Sequence, residues 1–129
     1  MNCEEGAMKE NILLVKSKGF ALRIIRLYTY LNKEKNETVL SKQLLRSGTS
    51  IGANIREAQR AQSEADFYAK LFVSLKEADE SAYWLELLHD SQLLTPEQFD
   101  SIYADCTELI KLLVSITHKK FANSPLNNT

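Results

Sequence analysis

The residues that could carry out chemistry are few and lie far apart in the sequence. Neither His89 nor His118 has a second histidine or a carboxylate three or four residues downstream, as a metal site built on one helix would need. Cys106 falls among apolar residues at helical spacing, and Cys3 shares no metal-ligand spacing with it. We therefore expect Cys106 to be a core residue rather than a nucleophile, and we predict no metal site.

Two further patterns are similar to functional sites but are incomplete. Residues 48–52 begin and end with glycine like a phosphate-binding loop, yet the Gly-Lys-Ser/Thr ending is missing and no strand-like segment precedes them. Four-helix di-iron proteins need two Glu-x-x-His motifs beside their other carboxylates, and the sequence does not supply that pair. The carboxylates of this chain that resemble those of di-iron proteins lie on the third helix: Glu77, Asp79, Glu80 and Glu86. The sequence thus predicts no catalytic residue, no cofactor and no small-molecule substrate, and indicates that the protein is not an enzyme.

The glycines of residues 43–58 have a better explanation in helix packing. This segment has the apolar spacing of a helix, and each glycine inside a helix costs about 1 kcal/mol relative to alanine. Small side chains let another backbone come close, so we expect this helix to be central in a tight helical assembly. The residues predicted to pack there are Gly48, Ser50, Ile51, Gly52 and Ile55.

Four helical segments account for the chain. The first begins at a predicted N-cap, Ser17, and ends near Lys33, and the second runs from Thr38 or Ser41 to about Ala61. The third begins at Ser63, with Asp66 completing a capping-box-like pair, and ends near Ser91. The fourth is marked by Thr95 as N-cap, Pro96 at the first helical position and Gln98 as the capping-box partner, and ends near Lys120.

These elements predict an all-α fold, an antiparallel up-down-up-down four-helix bundle, because the links between the helices are short. We expect one domain at residues 12–120, with disordered tails at residues 1–11 and 121–129. The two cysteines and the lack of an apolar run of roughly 20 residues favour a cytoplasmic protein that does not enter the membrane.

Charge is divided unevenly along the chain although the formal net charge is −1. Residues 1–60 carry 11 Lys or Arg against 6 Asp or Glu, whereas residues 61–129 carry 5 against 11. Basic helices packing beside acidic ones, within a subunit or between copies, explain this division. A basic surface for RNA or DNA is the alternative, although the pI of 6.1 is below the value above roughly 9 that is typical of nucleic-acid domains. The candidate nucleic-acid-binding residues are Lys18, Arg23, Arg26, Arg46, Arg56 and Arg60.

The third helix carries more apolar residues than one neighbour can cover. Besides the line through Phe67, Leu71 and Leu75, it has a second line formed by Tyr68, Phe72, Trp84 and Leu88. This second line must contact another helix of the bundle or another subunit. We predict it as an oligomer interface, with head-to-tail contacts between unlike patches that close a ring.

The order and spacing of these motifs resemble one family over roughly residues 12–120. The run QLLRSGTSIGANIREA at residues 43–58 is followed by Ser63, Asp66-Phe67, Lys70-Leu71, Leu75-Lys-Glu-Ala78 and Tyr83-Trp-Leu85. This pattern is similar to that of the bacterial four-helix-bundle proteins called 23S rRNA intervening-sequence proteins, which are related to accessory proteins of diversity-generating retroelements.

The resemblance implies a bundle that assembles as a closed ring, a homopentamer, and a family without an established biochemical activity. The retroelement accessory proteins share that barrel and bind nucleic acid through a basic surface. A non-enzymatic scaffold or adaptor is therefore the expected function, and a nucleic-acid-binding accessory protein using helices one and two is the alternative.

Overall fold

The computed structural model describes residues 3–122 of the chain, with side chains described for residues 6–118. Four helices make up almost all of this part: α1 (Cys3–Lys35), α2 (Val39–Ala58), α3 (Glu64–Asp90) and α4 (Pro96–Ala122). No strand occurs within residues 3–122. The predicted all-α four-helix bundle is confirmed.

Each helix packs against the helices before and after it in the chain, and α4 also packs against α1. In every neighbouring pair, residues later in one helix contact residues earlier in the other, so all four pairs are antiparallel. The contacts that show this are Ser17–Gly52 and Ile24–Gly48 between α1 and α2, and Ser47–Ser81 and Ile51–Ser74 between α2 and α3. Between α3 and α4 they are Ala78–Cys106 and Glu86–Tyr103, and between α1 and α4 they are Lys16–Glu108 and Arg23–Asp105. Of the four pairs, α1 and α4 pack least closely.

Local side chains fix the starts of α3 and α4 as predicted. The Ser63 hydroxyl accepts a hydrogen bond from the Asp66 backbone N–H at 3.0 Å. At α4, Thr95 Oγ1 accepts from the Gln98 N–H at 3.1 Å, and Gln98 Oε1 accepts from the Thr95 N–H at 2.9 Å. Both pairs satisfy amide groups that a helix start leaves without partners.

The start of α2 is capped by neither Thr38 nor Ser41, the two residues at which the sequence predicts that the helix begins. Thr38 occupies the N-cap position but its side chain makes no capping hydrogen bond. The Glu37 carboxylate accepts from the N–H groups of Leu40 and Ser41 instead, at 2.7 and 2.8 Å. A carboxylate does this well because it is also attracted to the positive end of the helix dipole.

The first helix is longer than the sequence indicates. It extends back to Cys3, so residues 3–11 are helical rather than a separate tail, and Ser17 is an interior residue and not an N-cap. Ser17 is buried and its hydroxyl donates to the Leu14 carbonyl at 3.3 Å. The serine at position 17 is therefore explained by its buried position against α2 and not by a helix start. Of the predicted C-terminal tail, residues 121–122 belong to α4 and residues 123–129 lie outside the described residues.

The core consists of apolar side chains from all four helices. Its most buried members include Phe20 and Ile24 of α1, Ile51 of α2, Leu85 of α3 and Leu113 of α4. Among the described residues, none of the helices is both long and apolar enough to span a bilayer.

Candidate interaction surface

The glycines of α2 lie where α1 approaches most closely. A Cβ atom at Gly48 would lie 3.0 Å from Cγ1 of Ile24, and one at Gly52 would lie 3.2 Å from Oγ of Ser17. These distances are shorter than ordinary van der Waals contact. The predicted packing role of Gly48 and Gly52 therefore matches the structure, in which Ile51 and Ile55 are also fully buried.

On the other side of α2, short hydroxyl side chains let α3 approach closely. Ser47 and Ser81 are buried with their hydroxyl oxygens 2.8 Å apart, and the Ser74 hydroxyl donates to the Ile51 carbonyl at 2.8 Å. We call Ser17, Ser47, Gly48, Gly52, Ser74 and Ser81 the small-residue interface. The prediction placed Ser50 in this contact, but Ser50 is half-exposed and bonds to the Arg46 carbonyl of its own helix. Ser47 takes that place, since its spacing from Leu44 and Ile51 puts it on the apolar side.

The predicted second apolar line of α3 is mostly used inside the subunit. Leu88 is completely buried in the core, so its assignment to an oligomer interface is wrong. Tyr68 and Trp84 are half-buried and pack against the core of their own bundle, and Trp84 Nε1 donates to Glu80 at 3.2 Å. Phe72 is also half-buried. An interface role for Tyr68, Phe72 and Trp84 stays a prediction.

Two of the candidate nucleic-acid-binding arginines are held in ion pairs between helices. Arg46 of α2 pairs with Glu77 at 3.3 Å and with Glu80 of α3. Arg23 of α1 pairs with Asp105 of α4 and donates to the Ser101 hydroxyl at 2.9 Å. These pairs support the interpretation of the charge division as basic helices lying beside acidic ones within the subunit.

Three basic residues spaced by seven along α1 contact α4. Lys9 donates to the Ser115 hydroxyl at 3.4 Å, Lys16 pairs with Glu108 at 2.9 Å, and Arg23 follows with Asp105. We call this row the α1–α4 ladder. Its side chains are long and the two ion pairs are about half exposed, so each contributes little to stability.

The other four candidate basic residues are exposed: Lys18, Arg26, Arg56 and Arg60. None of them forms an ion pair within residues 6–118. They occupy α1 and the C-terminal end of α2 and the turn after it. Their charges are thus not engaged in ion pairs of the described chain, whereas those of Arg23 and Arg46 are.

A further surface was not predicted. Met8, Ile12, Val15 and Leu22 of α1 are exposed to 63%, 38%, 73% and 44%, and they follow the 4, 3 and 7 residue steps of one helix face. Gly19 lies in the middle of this row, and among the described residues no side chain and no other helix comes within 4 Å of a Cβ atom built there. We call these five residues the α1 stripe. The spacing from Met8 to Leu22 could have revealed it, but the expected tail at residues 1–11 removed its first residue.

Groups that could take part in catalysis are tied into the fold. Burial raises the pKa of the Cys106 thiol to about 12, and its Sγ donates to the Ala78 carbonyl at 3.4 Å, in agreement with its predicted core role. Glu86 and His89 have a single Glu-x-x-His spacing, but Glu86 accepts from the Tyr103 hydroxyl at 2.8 Å and His89 stacks on Phe99. Within the described part of the chain, no group of three or more His, Cys, Asp or Glu could hold a metal ion.

Comparison with known proteins agrees with the sequence pattern and the fold. The family model described as 23S rRNA-intervening sequence protein matches residues 9–115. The chain is 57% identical to a protein of unknown function from the S23 ribosomal protein family of Bacteroides thetaiotaomicron VPI-5482, whose crystal structure superimposes with a TM-score of 0.84. That alignment covers 85% of this chain and 98% of the other.

None of the curated proteins matches the chain, and the descriptions of the family and of the Bacteroides protein name no enzymatic activity. The family match spans most of the chain and includes α2 with its small-residue interface. The chain belongs to the 23S rRNA-intervening sequence protein family.

Proposed function

We propose that the protein is a non-enzymatic scaffold or adaptor that assembles with copies of itself through the α1 stripe. The observation that supports this most strongly is Gly19. A glycine inside a helix costs about 1 kcal/mol, and at Gly48 and Gly52 the close approach of α1 accounts for it. At Gly19 a Cβ atom would meet no other helix of the described chain within 4 Å, so a helix from outside the chain accounts for it best.

The apolar residues around Gly19 support the same proposal. Exposed apolar side chains scattered singly are ordinary on a protein surface, but a continuous row on one helix face is typical of an interface. Helices pack through such rows when a small residue at the crossing point lets the backbones approach. The stripe therefore has the features of a helix–helix contact: exposed Val15 and Leu22 on either side of a glycine.

The charge division favours contacts between unlike surfaces. Lys18 and Arg26 of α1 form no ion pair in the described part of the chain, so they would attract the acidic half of the next copy. Such head-to-tail contacts produce a closed ring when the rotation between copies closes. Five subunits, the number implied by the family resemblance, remains part of the proposal.

Light scattering on Val15→Lys and Val39→Lys tests this proposal. The two valines are almost equally exposed, at 73% and 72%, but Val39 lies at the start of α2 and outside the stripe. Wild type and Val39→Lys should give particles of several 14.7 kDa subunits, and Val15→Lys should give single subunits. A wild-type monomer at micromolar concentration, or equal masses for both variants, would contradict self-assembly through α1.

Nucleic-acid binding is the second candidate function, supported by the exposed basic residues that form no ion pair in the described chain. Binding of an RNA hairpin or a DNA duplex should weaken steeply as salt rises, because bound phosphates release counterions. The double variant Arg56→Gln, Arg60→Gln should lose most of this binding, while Lys111→Gln on α4 should not. Absence of binding at low salt, or an equal loss in the Lys111→Gln control, would overturn this candidate.

A further inference from the structure

A groove lies between α1 and α4 next to the last rung of the α1–α4 ladder. It has a volume of about 250 Å³ and is lined by Arg23, Arg26, Leu27, Tyr30, Gln98 and Ile102. Ile102 is 4% exposed and Leu27 is half-buried, so its base is apolar. The looser packing of α1 against α4 leaves this space open.

The polar groups at the edge of the groove are hydrogen-bond donors. Gln98 Oε1 is occupied by the Thr95 N–H, which leaves the Nε2 amide group of Gln98 to donate. The Arg26 guanidinium is exposed and forms no ion pair within residues 6–118. No carboxylate is among the six lining residues. Because Arg23 is paired with Asp105, Arg26 is the lining residue that offers an unpaired positive charge, and with the Gln98 amide it suits a ligand that brings negative charge and acceptors.

Tyr30 adds an aromatic surface to the same groove. Its ring is half-buried and makes no ring contact or hydrogen bond through its hydroxyl within the described side chains. It lies four residues after Arg26 on the same face of α1, so the two side chains start about 6 Å apart. A ligand that carries a flat ring about one helical turn from an anionic group would contact both side chains.

We propose that this groove binds a nucleotide. The phosphate is held by Arg26 and the Gln98 amide group, since Arg–phosphate hydrogen bonds are charge-assisted. The base lies against Tyr30 and Leu27, because any of the nucleobases can stack on an aromatic ring. This site departs from the sequence-based expectation of no small-molecule ligand, and it does not depend on self-assembly through the α1 stripe.

Calorimetric titration with uridine monophosphate, adenosine monophosphate, uridine and inorganic phosphate tests the site. Both nucleotides should bind with one site per subunit, and uridine and phosphate should each bind at least tenfold more weakly, roughly the effect of losing one charged hydrogen bond or one stacked ring. Arg26→Gln should weaken nucleotide binding by about tenfold or more. Tyr30→Leu should weaken it while Tyr30→Phe should not, and Arg60→Gln is the matched control that should leave it unchanged.

Two further measurements distinguish a free nucleotide from a nucleic-acid strand as the ligand, and test whether binding depends on self-assembly. A single-stranded uridine trinucleotide that binds no tighter than the monophosphate indicates a free nucleotide as ligand, and one that binds at least tenfold tighter indicates a strand. The Val15→Lys variant should bind the monophosphate as the wild type does, whether or not assembly is lost. No saturable binding at millimolar nucleotide, or equal weakening by Arg60→Gln and Arg26→Gln, would overturn the proposal.

Discussion

The two interfaces of α1 are built in opposite ways. Against α2, α1 packs through the small-residue interface, where Gly48 and Gly52 bring the backbones together and the polar groups are buried. Against α4, it is held by the α1–α4 ladder of Lys9, Lys16 and Arg23, whose ion pairs are about half exposed. Short side chains fix the distance between two helices, whereas long charged ones tolerate a range of distances.

This difference explains where the bundle has room for other molecules. The small-residue interface holds α1 and α3 close to α2, while the looser α1–α4 pair contains the groove beside Arg26 and Tyr30. The α1 stripe lies on the outer side of the same helix. One helix thus combines a tight internal contact, an adjustable internal contact and a free apolar face.

The largest expected effect breaks the tight interface. Gly48→Leu should lower the free energy of unfolding by about 2–3 kcal/mol, because even its Cβ would lie 3.0 Å from Ile24 in a packed core. Ala53→Leu is the matched control on the exposed side of α2 and should be close to neutral. Urea unfolding of both variants measures the difference. A Gly48→Leu variant as stable as Ala53→Leu would show that the helices are not constrained at Gly48.

A smaller effect is expected where the interface uses hydroxyl groups. Ser47→Ala should cost about 1 kcal/mol, because it removes a buried hydrogen bond while Ser81 keeps its bond to the Glu77 carbonyl at 2.9 Å. Ser50→Ala should cost less, since Ser50 contacts only its own helix and is half-exposed. The same unfolding measurement distinguishes them, and the reverse order of effects would restore Ser50 as the packing residue.

The smallest effect is expected in the ladder. Arg23→Gln should cost less than about 1 kcal/mol, and the loss should shrink in 1 M salt because exposed ion pairs are screened. Lys18→Gln, which removes a charge that forms no ion pair in the described chain, is the control. Unfolding in low and high salt tests this. A loss for Arg23→Gln that salt does not change would place this ion pair among the buried, rigid contacts.

The features that the sequence predicts correctly have local causes. Ser63, Thr95 and Gln98 sit beside the helix starts that they cap, and the glycines of α2 stand out against a helical pattern. The features that the sequence does not predict depend on another helix. Nothing near Ser17 in the sequence shows that it lies against Gly52, and the ladder requires knowing that α1 neighbours α4.

For the candidate surface residues as well, local sequence and packing give different information. Leu88 and Trp84 share one line on a helical wheel, but only packing shows that Leu88 is completely buried while Trp84 is half-exposed. Arg23 and Arg26 are equally basic in sequence, and only the position of Asp105 distinguishes a paired arginine from a free one. The α1 stripe was hidden because a weak apolar pattern before Ser17 does not show on its own that the helix begins at Cys3.

Sedimentation equilibrium of the wild type and of Gly19→Arg tests self-assembly through the α1 stripe most directly. Arginine is a better helix former than glycine, and a Cβ atom at this position would meet no other helix of the described chain within 4 Å, so the variant should fold about as stably as the wild type. A large charged side chain in the middle of the stripe should nevertheless keep another copy away. We expect particles of several subunits for the wild type and single 14.7 kDa subunits for Gly19→Arg, whereas a monomeric wild type or a fully assembled variant would contradict the account.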